Sequence, residues 1–161
     1  MQSSQKNTLN DIYKKISSVV PDIEWKVHAP LIEKINKLKK DKNAVILAHN
    51  YQTPEIYHGV ADISADSLAL AVEASKTKAD IIVLCGVHFM AETIATLANN
   101  DQEVWITNPK AGCTMEMMAK DWMVKPIENQ LLDKFGSDLL VVSYMNTSGR
   151  LKAFSGRTGG A

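Results

Sequence analysis

Residues 44–49 read AVILAH, a short apolar run that ends in a histidine. A continuous apolar run of this length predicts a strand that is buried on both faces of a sheet. Three similar runs follow along the chain: DIIVLCG at 80–86, EVWIT at 103–107 and LLVVSYM at 139–145. Helix-like segments alternate with them, at 64–76, 90–99, 114–123 and 126–136. This alternation predicts an α/β fold with three layers, α/β/α, built around a parallel sheet.

The pattern changes on both sides of this region. Residues 1–43 are rich in lysine and show helical periodicity, with Pro21 ending one helix and Pro30 starting the next. The stretch LLVVSYMNTSGRLKAF resembles AVILAHNYQTPEIYHG in passing from an apolar strand through polar and aromatic residues into a helix. Such a second unit is too short here to close a core. We therefore expect N-terminal helices at 1–43, a first α/β domain at 44–124 and the start of a second, incomplete α/β domain at 125–161.

Composition excludes several classes of function. The 161 residues carry 18 Lys and Arg against 18 Asp and Glu, so the formal net charge is zero and nothing suggests a nucleic-acid or membrane-surface partner. No apolar run is long enough to span a bilayer, and the N-terminal stretch MQSSQKNTLNDIYKK lacks the apolar core of a signal peptide. We expect a cytoplasmic protein. Two cysteines are too few for a disulfide scaffold.

Polar and aromatic residues follow each predicted strand. The sequences after the four strands are HNYQTPE, GVHFMAE, NPKAGC and YMNTSGR. Ligands of parallel α/β sheets bind beyond the carboxyl ends of the strands, so we expect these residues to form the site. The common phosphate-binding loops are missing from the sequence, as are C-x-x-C and H-E-x-x-H.

The two cysteines have different surroundings in the sequence. Cys85 lies inside a predicted strand, which is typical of an inert core thiol. Cys113 follows a turn-like stretch and precedes a helix, and three interpretations of it remain open. It is a buried cysteine at a helix start, a nucleophile favoured by the helix N-terminus, or one ligand of a site whose other ligands lie elsewhere. Alone it cannot hold zinc or an iron–sulfur cluster.

Five motifs in order, ILAHNYQTPEI, ADSLAL, GVHFMAET, NPKAGCTM and YMNTSGRLKA, resemble the type A, iron–sulfur quinolinate synthase family. The resemblance covers nearly everything from residue 44 onward and corresponds to the N-terminal half of that family. It implies three similar α/β domains around a pseudo-threefold axis, of which this chain holds the first and the start of the second. It also implies a four-iron four-sulfur cluster held by three cysteines, one from each domain. The family condenses iminoaspartate with dihydroxyacetone phosphate to quinolinate, a precursor of NAD, and an aspartate-oxidising enzyme supplies the iminoaspartate.

The resemblance assigns roles to residues of this chain. Cys113 matches the first cluster cysteine. The residues that match catalytic positions are His49, Tyr51 and Tyr144, and those that match substrate-binding positions are His49, Ser67, Tyr144, Met145 and Asn146. For Asp66 a helix cap is an equal alternative to a role in the site, and for Glu92 packing or support of the site is the favoured interpretation.

The chain also departs from the family pattern. Two of the three cluster cysteines are missing from this sequence, and Cys85 is a poor substitute because it lies within a strand of the same domain. We therefore expect the 161-residue chain to be inactive alone. Two other classes stay open: a small flavodoxin-like module that binds a metabolite without catalysis, and a thiol-dependent enzyme that uses Cys113 as its nucleophile.

Overall fold

A four-stranded parallel sheet lies at the centre of the protein, in a computed structural model that describes residues 8–161. The strands are β1 (Ala44–His49), β2 (Ile63–Ala65), β3 (Ile81–Cys85) and β4 (Glu103–Ile106), in the spatial order β2-β1-β3-β4. In the register of the sheet, Leu47 lies opposite Ile63 on one side and Leu84 on the other. The predicted α/β fold with a parallel sheet is confirmed.

Helices cover both faces of the sheet. They are α1 (Leu9–Ile16), α2 (Asp22–Asp41), α3 (Pro54–Gly59), α4 (Ser67–Lys76), α5 (His88–Leu97), α6 (Thr114–Met117), α7 (Asp121–Phe135) and α8 (Gly149–Arg157). Helices α1, α2 and α3 pack on one face, and α4 and α5 pack on the other. This arrangement is the three-layer α/β/α architecture that the sequence predicts. Residues 1–7 of the predicted N-terminal helical unit lie outside the described residues.

The central strands are apolar throughout because both of their faces are buried. On β1, Ile46 and Ala48 join the core under α1, α2 and α3, while Leu47 between them joins the core under α4 and α5. On β3, Ile82 and Leu84 pack with Leu47. Side chains alternate between the faces of a strand, so a strand covered on both sides needs apolar residues at every position.

Two helices begin earlier than predicted. Helix α2 begins at Asp22 and continues through Pro30, and α7 begins at Asp121 and continues through Pro126. A proline inside a helix removes one backbone donor and usually ends or kinks the helix. In α2 the buried side chains of Trp25 and Ile32 lie on either side of the proline. Their shared burial in one core keeps this segment helical.

The prediction of a strand at 139–145 is wrong. These residues form no strand, and within residues 8–161 they have no partner strand. The N–H of Val141 donates instead to Thr158 Oγ1 at 3.0 Å, and the N–H of Ser143 donates to the carbonyl of Ala161 at 2.6 Å. An apolar run becomes a strand only where a neighbouring strand is available to form the ladder.

One short element, β2, is missing from the prediction. The helix predicted from residue 64 begins at Ser67, because residues 63–65 form the edge strand β2. A strand of three residues is too short for a periodic pattern. The predicted boundary between residues 124 and 125 lies inside α7, and the division of the chain into units stays a prediction. Among the helices in the described range, none is both long and apolar enough to cross a bilayer.

Candidate functional site

A cavity of about 610 Å³ opens at the carboxyl ends of β1 and β3. Segments that are far apart in the sequence meet around it: those strand ends, the start of α4, the start of α6 and the segment before α8. All seven residues predicted for the site line this cavity, namely His49, Tyr51, Ser67, Cys113, Tyr144, Met145 and Asn146. The fold thus brings together residues that lie in separate motifs. The roles assigned to them stay predictions.

His49 is the last residue of β1 and faces the cavity partly shielded from solvent. Its Nδ1 accepts a hydrogen bond from the backbone N–H of Tyr51 at 3.3 Å, and the two rings meet edge to face at 4.6 Å. Burial lowers the pKa of His49, and the nearby carboxylate of Asp66 opposes that shift. The imidazole is therefore neutral near pH 7. Because Nδ1 is an acceptor, the proton resides on Nε2, which leaves one N–H donor for a ligand.

Asp66 and Ser67 lie where α4 begins. One carboxylate oxygen of Asp66 accepts from the N–H groups of Leu68 at 3.0 Å and Ala69 at 2.9 Å, so Asp66 is the N-cap of α4. The predicted capping role of Asp66 is confirmed, and the residue lines the cavity as well. The cap fixes the first helical turn, which places Ser67 at the edge of the cavity.

Cys113 precedes α6 and is half-buried beside the cavity. Its loop is held from both sides: the N–H of His88 donates to the carbonyl of Ala111 at 2.9 Å, and the N–H of Lys110 donates to Asn108 Oδ1 at 2.9 Å. A Cβ atom added to Gly112 would meet nothing within 4 Å. Open space therefore lies at Gly112, the residue before Cys113.

Cys85 has no place in this cavity. It packs into the core under α1, α2 and α3, and burial raises the pKa of its thiol. Within residues 8–161, no group of three or more His, Cys, Asp or Glu side chains is arranged to hold a metal ion. The role of Cys113 as one ligand of an iron–sulfur cluster stays a prediction. A cluster held by three cysteines needs two thiols besides Cys113, and the other cysteine of this sequence is the buried Cys85.

The segment Tyr144–Asn146 is held by the turn that follows it. Thr147 is buried, and its Oγ1 donates to the carbonyl of Tyr144 at 2.8 Å. Ser148 caps α8, and the N–H of Gly149 donates to Glu92 Oε2 at 2.8 Å. Glu92 lies outside the cavity lining, so its contact supports the favoured interpretation that it packs behind the site.

Six further lining residues were given no individual role by the sequence prediction. They are Gln52, Leu68, Gly86, Val87, Met90 and Thr114. Gln52, Gly86, Val87 and Met90 belong to the strand-end stretches that were expected to form the site, whereas Leu68 and Thr114 lie outside those stretches. From the sequence Met90 is typical of a core residue. Only the packing of α5 shows that it also lines the cavity. In the described part of the chain, the cavity lining contains neither lysine nor arginine.

Comparisons with known proteins identify the family of this chain. The family model described as Quinolinate synthetase A protein matches residues 33–159. The chain is 48% identical over 142 residues to the quinolinate synthase of Sinorhizobium fredii, which covers 88% of this chain and 38% of that protein. It is 49% identical over 144 residues to the quinolinate synthase of Agrobacterium fabrum, covering 89% of this chain and 40% of the relative.

A third relative, the quinolinate synthase of Xylella fastidiosa, is 52% identical over 124 residues, or 77% of this chain and 35% of that protein. The chain thus spans well under half the length of these curated relatives. The resemblance predicted from the five motifs is confirmed. The match to the family model covers most of the chain, and the chain belongs to the quinolinate synthetase A protein family.

Proposed function

We propose that this chain provides the N-terminal part of a quinolinate synthase that condenses iminoaspartate with dihydroxyacetone phosphate to quinolinate in NAD biosynthesis. The names of the relatives support this assignment. The observation that carries it is the single cavity lined by all seven residues that match family site positions. Iminoaspartate would come from an aspartate-oxidising enzyme, and the reaction would take place in the cytoplasm.

Neutral donors would bind the first substrate. His49 offers Nε2–H, Ser67 offers a hydroxyl, and the amide of Asn146 offers both a donor and an acceptor for a carboxylate and an imine. The described lining contains neither lysine nor arginine, so no lysine or arginine of this lining neutralises the negative charge of the substrate carboxylates. Hydrogen bonds from neutral groups orient the substrate instead, and they become stronger where water is excluded.

The reaction releases two waters and the phosphate of dihydroxyacetone phosphate, and each dehydration requires a proton at the leaving hydroxyl. Tyr51 and Tyr144 both line the cavity, and each phenol carries an O–H that donates to a leaving hydroxyl. His49 supports this step as a neutral imidazole, since burial holds its pKa below the usual range. Its Nε2–H holds the substrate oxygen in place while a tyrosine O–H delivers the proton.

Cys113 would be one of three cysteine ligands of a four-iron four-sulfur cluster. The half-buried thiol and the open space beside Gly112 fit this role. When bound, such a cluster supplies a Lewis acid that polarises a substrate oxygen. The remaining two thiols would come from outside this chain.

The test uses a chimera in which this chain is completed by the remainder of the Sinorhizobium fredii relative. After anaerobic reconstitution, His49→Ala, Tyr144→Phe and Asn146→Ala should keep the cluster absorption and lose quinolinate formation by about 100-fold. His58→Ala and Tyr57→Phe serve as matched controls, because both residues lie on α3 outside the cavity lining. Unchanged turnover in all three site variants would refute the proposal.

A further inference from the structure

Among residues 8–161, the helices α1, α2 and α3 cover only half of one face of the sheet, and no helix lies above the other half. Helices α2 and α3 pack on β1, but on the same face β4 presents Trp105 with 59% of its surface exposed. In the sheet register Trp105 lies opposite Val83 of β3. The opposite face of β4 is covered by α5. The bare half is therefore confined to the layer of α1, α2 and α3.

An apolar groove borders this bare half. It is a cavity of about 370 Å³ between the C-terminal half of α2 and strand β3. On the helix side, Ile35 is 40% exposed and Leu38 is 54% exposed. On the strand side, Ile81 and Val83 form the wall. We call the surface formed by Ile35, Leu38, Ile81, Val83 and Trp105 the open sheet face.

A helix is the element that suits this surface. Parallel sheets occur almost only with both faces covered, and contiguous exposed apolar surface marks a binding face. A helix satisfies its backbone hydrogen bonds internally, so it can bury one apolar side against the sheet without loss. An irregular segment in the same place would leave backbone N–H and C=O groups unpaired.

We propose that the open sheet face binds an amphipathic helix supplied by the polypeptide that the relatives possess beyond their match to this chain. The matched region is only 38% of the Sinorhizobium fredii protein and 40% of the Agrobacterium fabrum protein. The larger part of each relative is therefore available to complete the layer. This inference concerns assembly, and it rests on family membership and not on the reaction proposed above.

The experiment co-expresses this chain with the remainder of the Sinorhizobium fredii relative as a separate, affinity-tagged polypeptide. We expect the two to copurify, and we expect Ile35→Glu to weaken the association at least tenfold. Val72→Glu is the matched control, because Val72 is also 40% exposed but lies on α4 at the opposite face of the sheet. The control should bind as the unchanged chain does. The binding measurement requires neither a cluster nor turnover, so its failure is distinguishable from failure of the proposed reaction.

A second readout follows Trp105 directly. The chain has three tryptophans, of which Trp25 is buried and Trp122 is exposed. In a Trp122→Phe background, acrylamide quenching reports mainly on Trp105, and we expect it to fall when the tagged polypeptide binds. Trp105→Glu should abolish binding while preserving the circular dichroism spectrum, since this side chain is largely outside the core.

Three outcomes would overturn the proposal. One is the absence of any complex, and another is an equal loss of binding in Ile35→Glu and Val72→Glu. The third is a homodimer of this chain that Ile35→Glu dissociates, which would show that a second copy occupies the open sheet face. If Ile35→Glu proves unfolded, Leu38→Ala decides the matter with a smaller change at the same surface.

Discussion

Cys85 and Cys113 carry the same thiol group in two different environments. Cys85 is buried in the apolar core, where burial raises its pKa, whereas Cys113 is half-buried at the cavity. The thiolate is the form that reacts and binds metal, so an apolar environment makes a cysteine inert. Environment, and not residue type, separates the ligand candidate from the core residue.

This difference predicts selective alkylation of the native chain. With iodoacetamide at pH 8, Cys113 should be modified at least about tenfold faster than Cys85, because Cys113 is partly accessible to the reagent and Cys85 is buried. Mass spectrometry of peptides over time measures both rates. Cys85→Ser should keep the fast reaction, and Cys113→Ser should leave only the slow one. Faster modification of Cys85 would contradict the placement of both thiols.

His49 and Asp66 predict a pH effect at the cavity. The His49 pKa should lie below the usual value of about 6.5, because burial lowers it more than the Asp66 carboxylate raises it. Asp66→Asn should lower that pKa further, since asparagine keeps the cap and removes the charge. NMR titration of the imidazole proton signals measures both values. A higher His49 pKa in the variant would disprove the coupling.

The same shift has a defined sign for stability. As the pH falls through about 6.5, the unfolded chain binds a proton on this histidine before the folded chain does. The fold therefore loses stability through His49 as the pH falls from the unfolded-state pKa to the lower folded-state pKa, and this loss is complete below that range and has vanished at pH 8. In the His49→Gln variant, the free energy of unfolding should no longer show the decrease that His49 causes as the pH falls below about 6.5.

At the scale of elements, α7 and α8 are joined by one buried carboxylate. Glu128 of α7 is 7% exposed and pairs with Arg150 and Arg157 of α8, both at 2.6 Å. On its other side α8 is tied to α5, where Lys152 Nζ donates to Thr93 Oγ1 at 2.7 Å. These contacts hold the turn that presents the Tyr144–Asn146 segment to the cavity.

Removing this carboxylate should loosen α8. Glu128→Ala should destabilise the fold by about 1 to 3 kcal/mol, because two arginines lose their partner while remaining partly hydrated. Urea unfolding measures the change, and hydrogen exchange of the α8 amides locates it. Glu33→Ala, at an exposed position of α2, should change stability by less than about 0.5 kcal/mol. Equal effects of the two substitutions would contradict this account.

At the scale of the whole molecule, the 161-residue chain provides one wall of the proposed site. One thiol lines the cavity, and a three-cysteine cluster requires two more. Metal affinity depends on the number of ligands and on their preorganisation. The cavity is also open to solvent, since Tyr51 and Tyr144 of its lining are 91% and 59% exposed, and water is therefore not excluded from it.

The chain alone should therefore be unable to make quinolinate. After anaerobic reconstitution with iron and sulfide, we expect neither a stable four-iron absorption nor turnover with the two substrates. The chimera completed by the Sinorhizobium fredii remainder is the positive control. A stable cluster together with turnover in the isolated chain would require several copies to share one cluster, and would refute this view of the site.

The sequence by itself determined the fold class. Runs such as 44–49 are apolar at every position, which only a doubly covered strand requires, and the central strands β1 and β3 lie where these runs predict them. Local chemistry also reveals caps, as at Asp66. The motifs also identified seven residues that line the cavity, because their order and spacing along the chain resemble those of the family.

Tertiary structure alone decided the rest. The run at 139–145 has the composition of a strand but no neighbour to pair with among residues 8–161. Helix α2 continues through Pro30 because Trp25 and Ile32 are buried together. Pairing and burial depend on segments that are distant in sequence, which local patterns do not encode. The position of Tyr144 and His49 at one cavity has the same origin: it follows from the packing of α8 against α5 and α7, and not from either motif.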